Sequence, residues 1–246
     1  MSAIEGRNAV IEALRGGVPL KRVTIAEGTQ ADRGIDEIER RAAELGIPVD
    51  RAPKRVLDAK SERGAHQGVI AEAKPYKYAT LDQVLEHAEG KPSALIIALD
   101  HITDPGNLGA IVRTAEVIGA DGVVVANARQ AAVTPAAYKA SAGALSHVLL
   151  AQEANLVRSL KRCQDAGFWV AGASEHAAQT LWEAPLEGRI VLVMGSEGEG
   201  LARLTKETCD FLVRLPQAGK VGSLNVAQAT TAIAYEWARR TAAARE

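Results

Sequence analysis

Three polar segments of the sequence combine side chains that can bind a nucleotide or a nucleoside cofactor, and each follows an apolar run. The first segment, residues 99–113, contains Asn107 and Arg113. In a helix entered at Asn107, Arg113 lies about one and a half turns further on, and its guanidinium can hold a phosphate through two parallel hydrogen bonds. An ordinary cap at Asn107 and a surface position for Arg113 would explain the same residues, so this segment alone does not define a site.

The second segment, residues 193–201, places three glycines and two glutamates after an apolar run. Glycine allows a backbone to approach a ligand closely. The segment lacks the Gly-Lys-Ser/Thr ending of a triphosphate-binding loop, and Glu197 and Glu199 would repel a triphosphate. An adenine or an amino-acid moiety therefore suits the segment better, and a flexible turn is the alternative.

The third segment, residues 215–226, leaves a strand at Leu215 and contains two glycines before Ser223 and Asn225, where a helix opens. Ser223 can cap that helix, and the free amides of a helix N-terminus can also bind an anion. The first strand of this half of the chain is not followed by the Gly-x-Gly loop of dinucleotide-binding folds. A nucleoside cofactor is therefore expected at the second and third segments.

The elements that must position these segments alternate between strand and helix through residues 93–246. We predict strands over 94–99, 122–126, 148–151, 168–173, 190–194 and 211–215, and helices over 107–118, 136–144, 156–166 and 225–240. This alternation predicts an α/β fold with a mostly parallel sheet, helices on both faces, and ligands at the carboxyl ends of the strands.

Residues 1–73 are predicted to form a second, smaller α/β domain. Its helices are expected over 8–14, 35–45 and 53–59, and its strands over 22–26, 48–51 and 67–72. Residues 74–92 contain two prolines and little apolar periodicity, so we predict an interdomain linker there.

The composition of the 246 residues, 47% hydrophobic and 24% charged, is that of a soluble globular protein. No apolar run is long enough for a transmembrane helix, and the N-terminus lacks the basic and apolar regions of a signal peptide, so we expect a cytoplasmic protein. Cys163 and Cys209 are expected to be structural thiols, and the scattered histidines predict no catalytic metal.

The formal net charge of −1 argues mildly against nucleic-acid binding, but a basic excess need only be local. Residues 1–77 carry 14 Lys and Arg against 12 Asp and Glu. Three basic pairs in this part are candidate phosphate contacts, namely Lys21-Arg22, Arg40-Arg41 and Lys54-Arg55. A solvated protein face would explain the same pairs.

Taken together and in this order, the three segments resemble the motifs of the SpoU (TrmH) family of RNA ribose methyltransferases. The residues that carry the resemblance are Asn107-x-Gly109-x-x-x-Arg113, Gly195-Ser196-Glu197-Gly198-Glu199-Gly200, and Leu215-Pro216 followed by Gly219 and Ser223-Leu224-Asn225-Val226. They span about 93–240. One departure is Gln217, which stands where many members have methionine.

The first domain also resembles a known module. Gly6-Arg7-Asn8-Ala9-Val10 near its start and His66-Gln67-Gly68-Val69 near its end are similar to the ribosomal-protein L30e-like substrate domain fused to many family members. The resemblance implies residues 1–73 as an RNA substrate-binding domain, 74–92 as a linker and 93–246 as a SpoU methyltransferase domain.

The resemblance further implies a SPOUT α/β trefoil-knot fold, a homodimer, and S-adenosylmethionine held in the knot. The residues expected to contact this cofactor, largely through backbone atoms, are Gly195, Leu215 and Leu224. The residues expected to line the catalytic pocket are Glu197, Ser223 and Asn225. Asn107 and Arg113 are expected to reach the target nucleotide, and Arg113 is the catalytic candidate. Because the pKa of arginine lies above about 12, we expect Arg113 chiefly to bind a phosphate and stabilise the forming alkoxide.

The domain combination favours one substrate, a guanosine ribose in the peptidyl-transferase region of 23S ribosomal RNA, within free RNA or a ribosome assembly intermediate. Transfer RNA and a resistance-linked ribosomal site stay open as alternatives. So do a non-enzymatic RNA-binding factor, which would not need the complete set of polar residues, and a small-molecule methyltransferase, which would leave the first domain without a purpose.

Overall fold

A computed structural model describes residues 3–61, 64–220 and 222–243, and it divides the chain into two units, residues 1–77 and 78–246. The division falls within the segment predicted as a linker. The second half of that segment is not a linker in conformation, because residues 81–87 form a helix with Leu81 and Val84 buried. Thr80 and Gln83 begin this helix with a reciprocal capping box, a local signal that the sequence analysis overlooked.

The N-terminal unit is built on a four-stranded sheet in the order β1-β4-β2-β3. Strand β2 pairs parallel with β3 and antiparallel with β4, which pairs antiparallel with β1. Its elements are β1 (Ala3–Glu5), α1 (Arg7–Arg15), β2 (Leu20–Ala26), α2 (Arg33–Glu44), β3 (Val49–Ala52), α3 (Lys54–Lys60) and β4 (Val69–Ala73). The predicted helices and strands of this unit are all present, and the short strand β1 is an addition.

The C-terminal unit contains a seven-stranded sheet in the order β7-β6-β5-β10-β8-β11-β9, and every neighbouring pair is parallel. The predicted parallel sheet is therefore confirmed. Its strands are β5 (Ala94–Asp100), β6 (Gly122–Ala126), β7 (Leu150–Glu153), β8 (Trp169–Ala173), β9 (Gln179–Thr180), β10 (Arg189–Gly195) and β11 (Phe211–Arg214). Its helices are α4 (Leu81–His87), α5 (Pro105–Val117), α6 (Pro135–Ser141), α7 (Leu156–Asp165), α8 (Arg203–Thr208) and α9 (Val226–Ala243), with a 3-10 turn at Ala144–Ser146.

Strand β5 lies in the interior of this sheet, next to the central strand β10, and the side chains from Ala94 to Leu99 are fully buried. Its neighbours are β6, which follows it in the chain, and β10, which begins some 90 residues later. The strand order reverses direction at β5 and β10, and open parallel sheets bind ligands at such a switch point. The loops after β5 and β10 contain the first and second motifs.

Besides α4, two elements of the C-terminal unit were not predicted, β9 and α8. Strand β9 has two residues and helix α8 has six, which is too short for hydrophobic periodicity to be read. No helix in the described part of the chain combines the length and the apolar character needed to cross a membrane.

Candidate active site

The first turn of α5 is positioned by Asp104, which caps the helix by accepting a hydrogen bond from Asn107 N at 2.7 Å. Pro105 occupies the first helical position, where its missing N–H costs nothing. Asn107 is therefore not the N-cap of α5, which was one of the two interpretations of the sequence. Its amide side chain is free to reach across the sheet edge.

Asn107, Glu197 and Asn225 meet at the carboxyl ends of the strands, although 118 residues separate the first from the last. Asn107 Nδ2 donates to Glu197 Oε1 at 3.0 Å, and Asn225 Nδ2 donates to the same oxygen at 2.8 Å. Asn225 Nδ2 also donates to Asn107 Oδ1 at 2.8 Å. One residue from each motif thus enters a single hydrogen-bonded cluster, called here the Asn-Glu-Asn cluster.

The third motif opens α9, and Asn225 caps that helix. Asn225 Oδ1 accepts hydrogen bonds from Ala227 N at 2.9 Å and from Gln228 N at 3.4 Å. The expectation that Ser223 could serve as the cap is therefore wrong. Ser223 lies instead on the wall of the neighbouring cleft. Val221, in the same motif, lies outside the described residues.

The second motif folds back on itself directly after β10. Ser196 N donates to Gly200 O at 3.1 Å, and Gly200 N donates to Ser196 O at 3.0 Å. A Cβ on Gly195 would lie 2.2 Å from the carbonyl carbon of Gly200, so no larger residue fits at 195 without moving this loop. The tight turn places Glu197 within reach of both asparagines.

A cleft of about 320 Å³ lies beside the Asn-Glu-Asn cluster, within the C-terminal unit. Gly195, Glu197, Leu215, Ser223 and Leu224, which the sequence analysis selected, all line it. Further apolar lining comes from Met194, Leu201, Val213, Val226 and Ile233, and further charged or polar lining from Glu175, His176, Glu199, Lys206, Arg214 and Gln217. Sequence analysis missed the wall formed by residues 173–176, although their position after a predicted strand was a usable signal.

Comparison with known proteins gives these motifs a family. The model of the SpoU rRNA Methylase family matches residues 94–235. The chain belongs to this SpoU family. A second model, described as RNA 2'-O ribose methyltransferase substrate binding, matches residues 3–79. A relative from Mycobacterium avium (strain 104), described as an uncharacterized tRNA/rRNA methyltransferase, is 41% identical over 235 residues, which cover 96% of this chain and 76% of the relative.

Solved structures of SpoU proteins share the fold over nearly the whole chain. The SpoU methyltransferase AviRb from Streptomyces viridochromogenes, in complex with AdoMet, gives a TM-score of 0.67 at 25% identity, covering 97% of this chain and 89% of that one. An AdoMet-bound rRNA methyltransferase from Sinorhizobium meliloti gives a TM-score of 0.63 at 26% identity, covering 97% and 87%. The expectation of a SpoU-type α/β domain preceded by a substrate-binding domain is confirmed.

Arg113 of this SpoU chain is the one predicted site residue that neither the cluster nor the cleft includes. It is exposed on α5, and no described residue forms an ion pair with it. At 100° per residue it lies about 120° around the helix from Asn107. The structure therefore leaves its guanidinium available to solvent and to a ligand approaching from outside the cleft.

The two cysteines have no nucleophilic character in this SpoU chain. Burial raises the pKa of Cys163 to about 12 and likewise raises the pKa of Cys209 to about 12. Both thiols are therefore protonated at neutral pH. In the described part of the chain, no three His, Cys, Asp or Glu side chains are grouped as metal ligands would be.

Proposed function

We propose that the protein transfers a methyl group from S-adenosylmethionine to a ribose 2'-hydroxyl of RNA. The observation that carries the proposal is the Asn-Glu-Asn cluster, because it joins one side chain from each motif beside a cleft of suitable size. Family membership supports the same activity, since the relatives are described as tRNA/rRNA methyltransferases and two structural neighbours hold AdoMet.

The cleft fits S-adenosylmethionine in size and in chemistry. Its volume of about 320 Å³ falls within the range of small-molecule sites. Leu215 and Leu224 offer apolar contact for an adenine, and the backbone of Gly195 offers polar groups at close approach. Glu199 and Lys206 bring both signs of charge, which a zwitterionic amino-acid moiety requires. When bound, the cofactor supplies an electrophilic methyl group on a sulfonium.

We assign the holding of the ribose to the Asn-Glu-Asn cluster. Glu197 Oε1 already accepts two side-chain hydrogen bonds and a longer one, 3.4 Å, from Val226 N. Glu197 Oε2 has no donor among the described residues, so it is the carboxylate oxygen that can accept the 2'-hydroxyl proton. Such positioning of the reacting oxygen contributes much of the rate acceleration in transfer reactions. Ser223, on the cleft wall, completes the proposed catalytic set.

Arg113, exposed outside the cleft, is assigned to the phosphate next to the target ribose, from where its positive charge also favours the developing alkoxide at a distance. Its planar guanidinium can bind a phosphate through two parallel hydrogen bonds, which a lysine ammonium cannot reproduce. Arg113→Lys should therefore lower the methyl transfer rate while leaving cofactor affinity unchanged. A rate near that of the wild type would contradict this role.

The N-terminal unit is assigned to RNA recognition, and its ion pairs distinguish among the three basic pairs. Arg22 is paired with Asp50 at 3.0 Å, Arg40 with Glu44 at 2.5 Å and Arg41 with Glu37 at 2.8 Å. Lys54 and Arg55 are exposed and have no ion pair with any described residue. Lys54-Arg55 is therefore the best phosphate contact of the three, and replacing both by alanine should weaken RNA binding more than Arg40→Ala does.

We propose a guanosine in the peptidyl-transferase region of 23S ribosomal RNA as the target, a cytoplasmic location and a homodimer. Support for the dimer comes from Val117 and Tyr235, which are 60% and 51% exposed on the packed helices α5 and α9. Light scattering of the purified protein tests the dimer.

Transfer RNA is the second candidate substrate, because the relatives are described as tRNA/rRNA methyltransferases. Mapping 2'-O-methylation on ribosomal and transfer RNA from cells with and without the gene decides between the two. Loss of one ribosomal guanosine methylation would support the first candidate, and loss of a transfer RNA methylation the second. An unchanged map, together with no labelled methyl transfer in vitro, would favour a non-enzymatic RNA-binding factor.

A further inference from the structure

The loops after β5 and β6 leave the same edge of the sheet and are hydrogen-bonded to each other. Strands β5 and β6 are parallel neighbours, so both loops start at their carboxyl ends. Ala131 N donates to Ile102 O at 2.7 Å, and Ile102 N donates to Gln130 Oε1 at 3.0 Å. Residues 101–104 and 127–134, called here the loop pair, thus form one surface that leads directly into the first turn of α5.

Each loop of the pair contains a non-glycine residue in the left-handed region, His101 with φ 61° and Arg129 with φ 54°. Only four such residues occur in the described part of the chain. A left-handed conformation is unfavourable for a residue with a Cβ and is concentrated at functional sites. The surrounding hydrogen bonds therefore hold both side chains in positions that the local sequence does not prefer.

The imidazole of His101 is oriented by a buried carboxylate. Asp100 is 2% exposed, and its Oδ2 accepts a hydrogen bond from Ala202 N at 2.8 Å. His101 Nδ1 lies 2.7 Å from Asp100 Oδ1, while Nε2 has no partner among the described residues. The pair fixes the ring, and with both ring nitrogens protonated Nδ1 donates to Asp100 while Nε2 can donate to a phosphate oxygen.

Arg129 is an exposed cation without a carboxylate partner among the described residues. Several other arginines of the same unit, although not Arg113, are neutralised within it: Arg162 pairs with Asp82, Arg203 with Glu207, and Arg239 with Glu236. Residues 78–246 carry 15 Lys and Arg against 18 Asp and Glu, so a polyanion approaching this unit must rely on local cations. Gln130 Nε2 is also buried at the seam of the loop pair with no acceptor, and an entering oxygen would satisfy it.

We propose that His101 and Arg129 form a phosphate-binding subsite for the RNA backbone on the catalytic unit, next to the target nucleotide. The subsite rests on the proposed methyl transfer to RNA and extends it. The loop pair leads into the turn that carries Asn107, so a phosphodiester bound there continues toward the Asn-Glu-Asn cluster. The catalytic unit then binds the RNA backbone directly, in addition to any binding by the N-terminal unit.

The test compares Arg129→Ala with Lys161→Ala, a matched control that removes an exposed, unpaired cation from the middle of α7. RNA binding is measured between 50 and 200 mM salt, and methyl transfer is measured at saturating S-adenosylmethionine. We expect Arg129→Ala to raise KM for RNA about three- to tenfold, with kcat unchanged. We also expect the salt slope, meaning the slope of the logarithm of the RNA association constant against the logarithm of the salt concentration, to decrease in magnitude by about one. Arg129→Lys should restore most of the slope, because the point charge remains.

His101→Asn removes the imidazole with little backbone strain, since asparagine tolerates the left-handed region. We expect it to raise KM for RNA about threefold and to leave cofactor affinity by calorimetry unchanged. The subsite is wrong if Arg129→Ala has the KM and salt slope of Lys161→Ala while the wild type methylates RNA. It is also wrong if Arg129→Ala weakens cofactor binding in parallel, since the effect would then be on folding. A wild type that neither binds nor methylates RNA would instead overturn the proposed function.

Discussion

Replacement of Gly195 by alanine should damage the cofactor cleft through steric conflict alone. Gly195 ends β10, and a Cβ at this position would lie 2.2 Å from Gly200 C, 2.4 Å from Gly200 O and 2.4 Å from Leu201 N. All three obstacles are backbone atoms, so no side-chain rotation can relieve the contact. The turn at residues 196–200 must shift by about 1 Å to accept the methyl group.

The expected loss of cofactor affinity follows from the hydrogen bonds that this shift breaks. The turn is closed by two hydrogen bonds between Ser196 and Gly200, at 3.1 and 3.0 Å. Losing both costs about 1 kcal/mol each, and an overpacked methyl group adds about 1 to 3 kcal/mol. Because the turn lines the cleft, we expect the loss of its two hydrogen bonds, about 2 kcal/mol, to lower S-adenosylmethionine affinity roughly 30-fold, while the overpacking lowers the free energy of unfolding.

Calorimetric titration with S-adenosylmethionine measures this loss, and Gly198→Ala is the matched control. Gly198 lies in the same turn, but a Cβ there meets no atom within 4 Å, and its φ is not positive. The control should bind the cofactor within about 0.5 kcal/mol of the wild type. Equal affinity of Gly195→Ala and Gly198→Ala would refute the steric argument.

Substitutions at three further positions test other parts of the C-terminal unit. Gly109→Ala would bring a Cβ within 2.3 Å of Ala137 O, so the free energy of unfolding in urea should fall by about 1 to 3 kcal/mol as α5 and α6 separate. Asn225→Ser keeps a helix-capping oxygen but loses the amide donors to the Asn-Glu-Asn cluster, so methyl transfer should be nearly abolished while the free energy of unfolding changes little. Asn225→Ala also removes the cap, and its free energy of unfolding should be about 1 kcal/mol lower than that of Asn225→Ser. The hydrogen bond from Arg239 lowers the pKa of Glu236 from 4.5 to about 2, so Glu236→Gln should cost about 2 kcal/mol at pH 7 after allowance for the solvent exposure of Arg239.

The lowered pKa of Glu236 predicts how its contribution to stability depends on pH. The folded pKa lies below the unfolded one, so the ionised carboxylate stabilises the fold fully above about pH 4.5 and progressively less as the pH falls toward about 2. The difference in unfolding free energy between wild type and Glu236→Gln should therefore shrink in acid. A difference in unfolding free energy that stays constant from pH 7 to pH 3 would contradict the role of Glu236. Methyl transfer by Asn225→Ser would contradict the role of the Asn225 amide. A Gly109→Ala variant as stable as the wild type would contradict the steric argument at Gly109.

Local sequence patterns were sufficient to place the three motifs at strand ends, because a polar loop between an apolar run and a helix is a local feature. The resemblance to the SpoU family then selected Asn107, Glu197 and Asn225 as site residues, and these three converge. The contacts between them could not be predicted, since they depend on β10 inserting beside β5 and not beside the strand that precedes it in sequence. Strand order is decided by packing across the whole unit, and periodicity carries no information about it.

The choice of helix cap shows a second limit. Ser223 and Asn225 both have capping side chains, and they are two residues apart, so propensity does not separate them. Glu197 separates them in the structure, because it holds Asn225 Nδ2 while Asn225 Oδ1 receives the helix amides. A single side chain thus ends the loop and enters the cluster, and a contact distant in sequence decides where α9 begins.

The role of the motif glycines was also not predictable from the sequence. In sequence the glycines of the second motif suggested a backbone open to a ligand, but at Gly195, and also at Gly109 of the first motif, the close neighbour is the chain itself. Gly195 admits the returning turn at Gly200, and Gly109 admits the carbonyl of Ala137 on α6. The first contact brings Glu197 to the strand edge, and the second seats the helix that carries Asn107. Both glycines therefore act on the ribose-binding cluster through position, which is why a methyl group at either should alter a site that neither side chain touches.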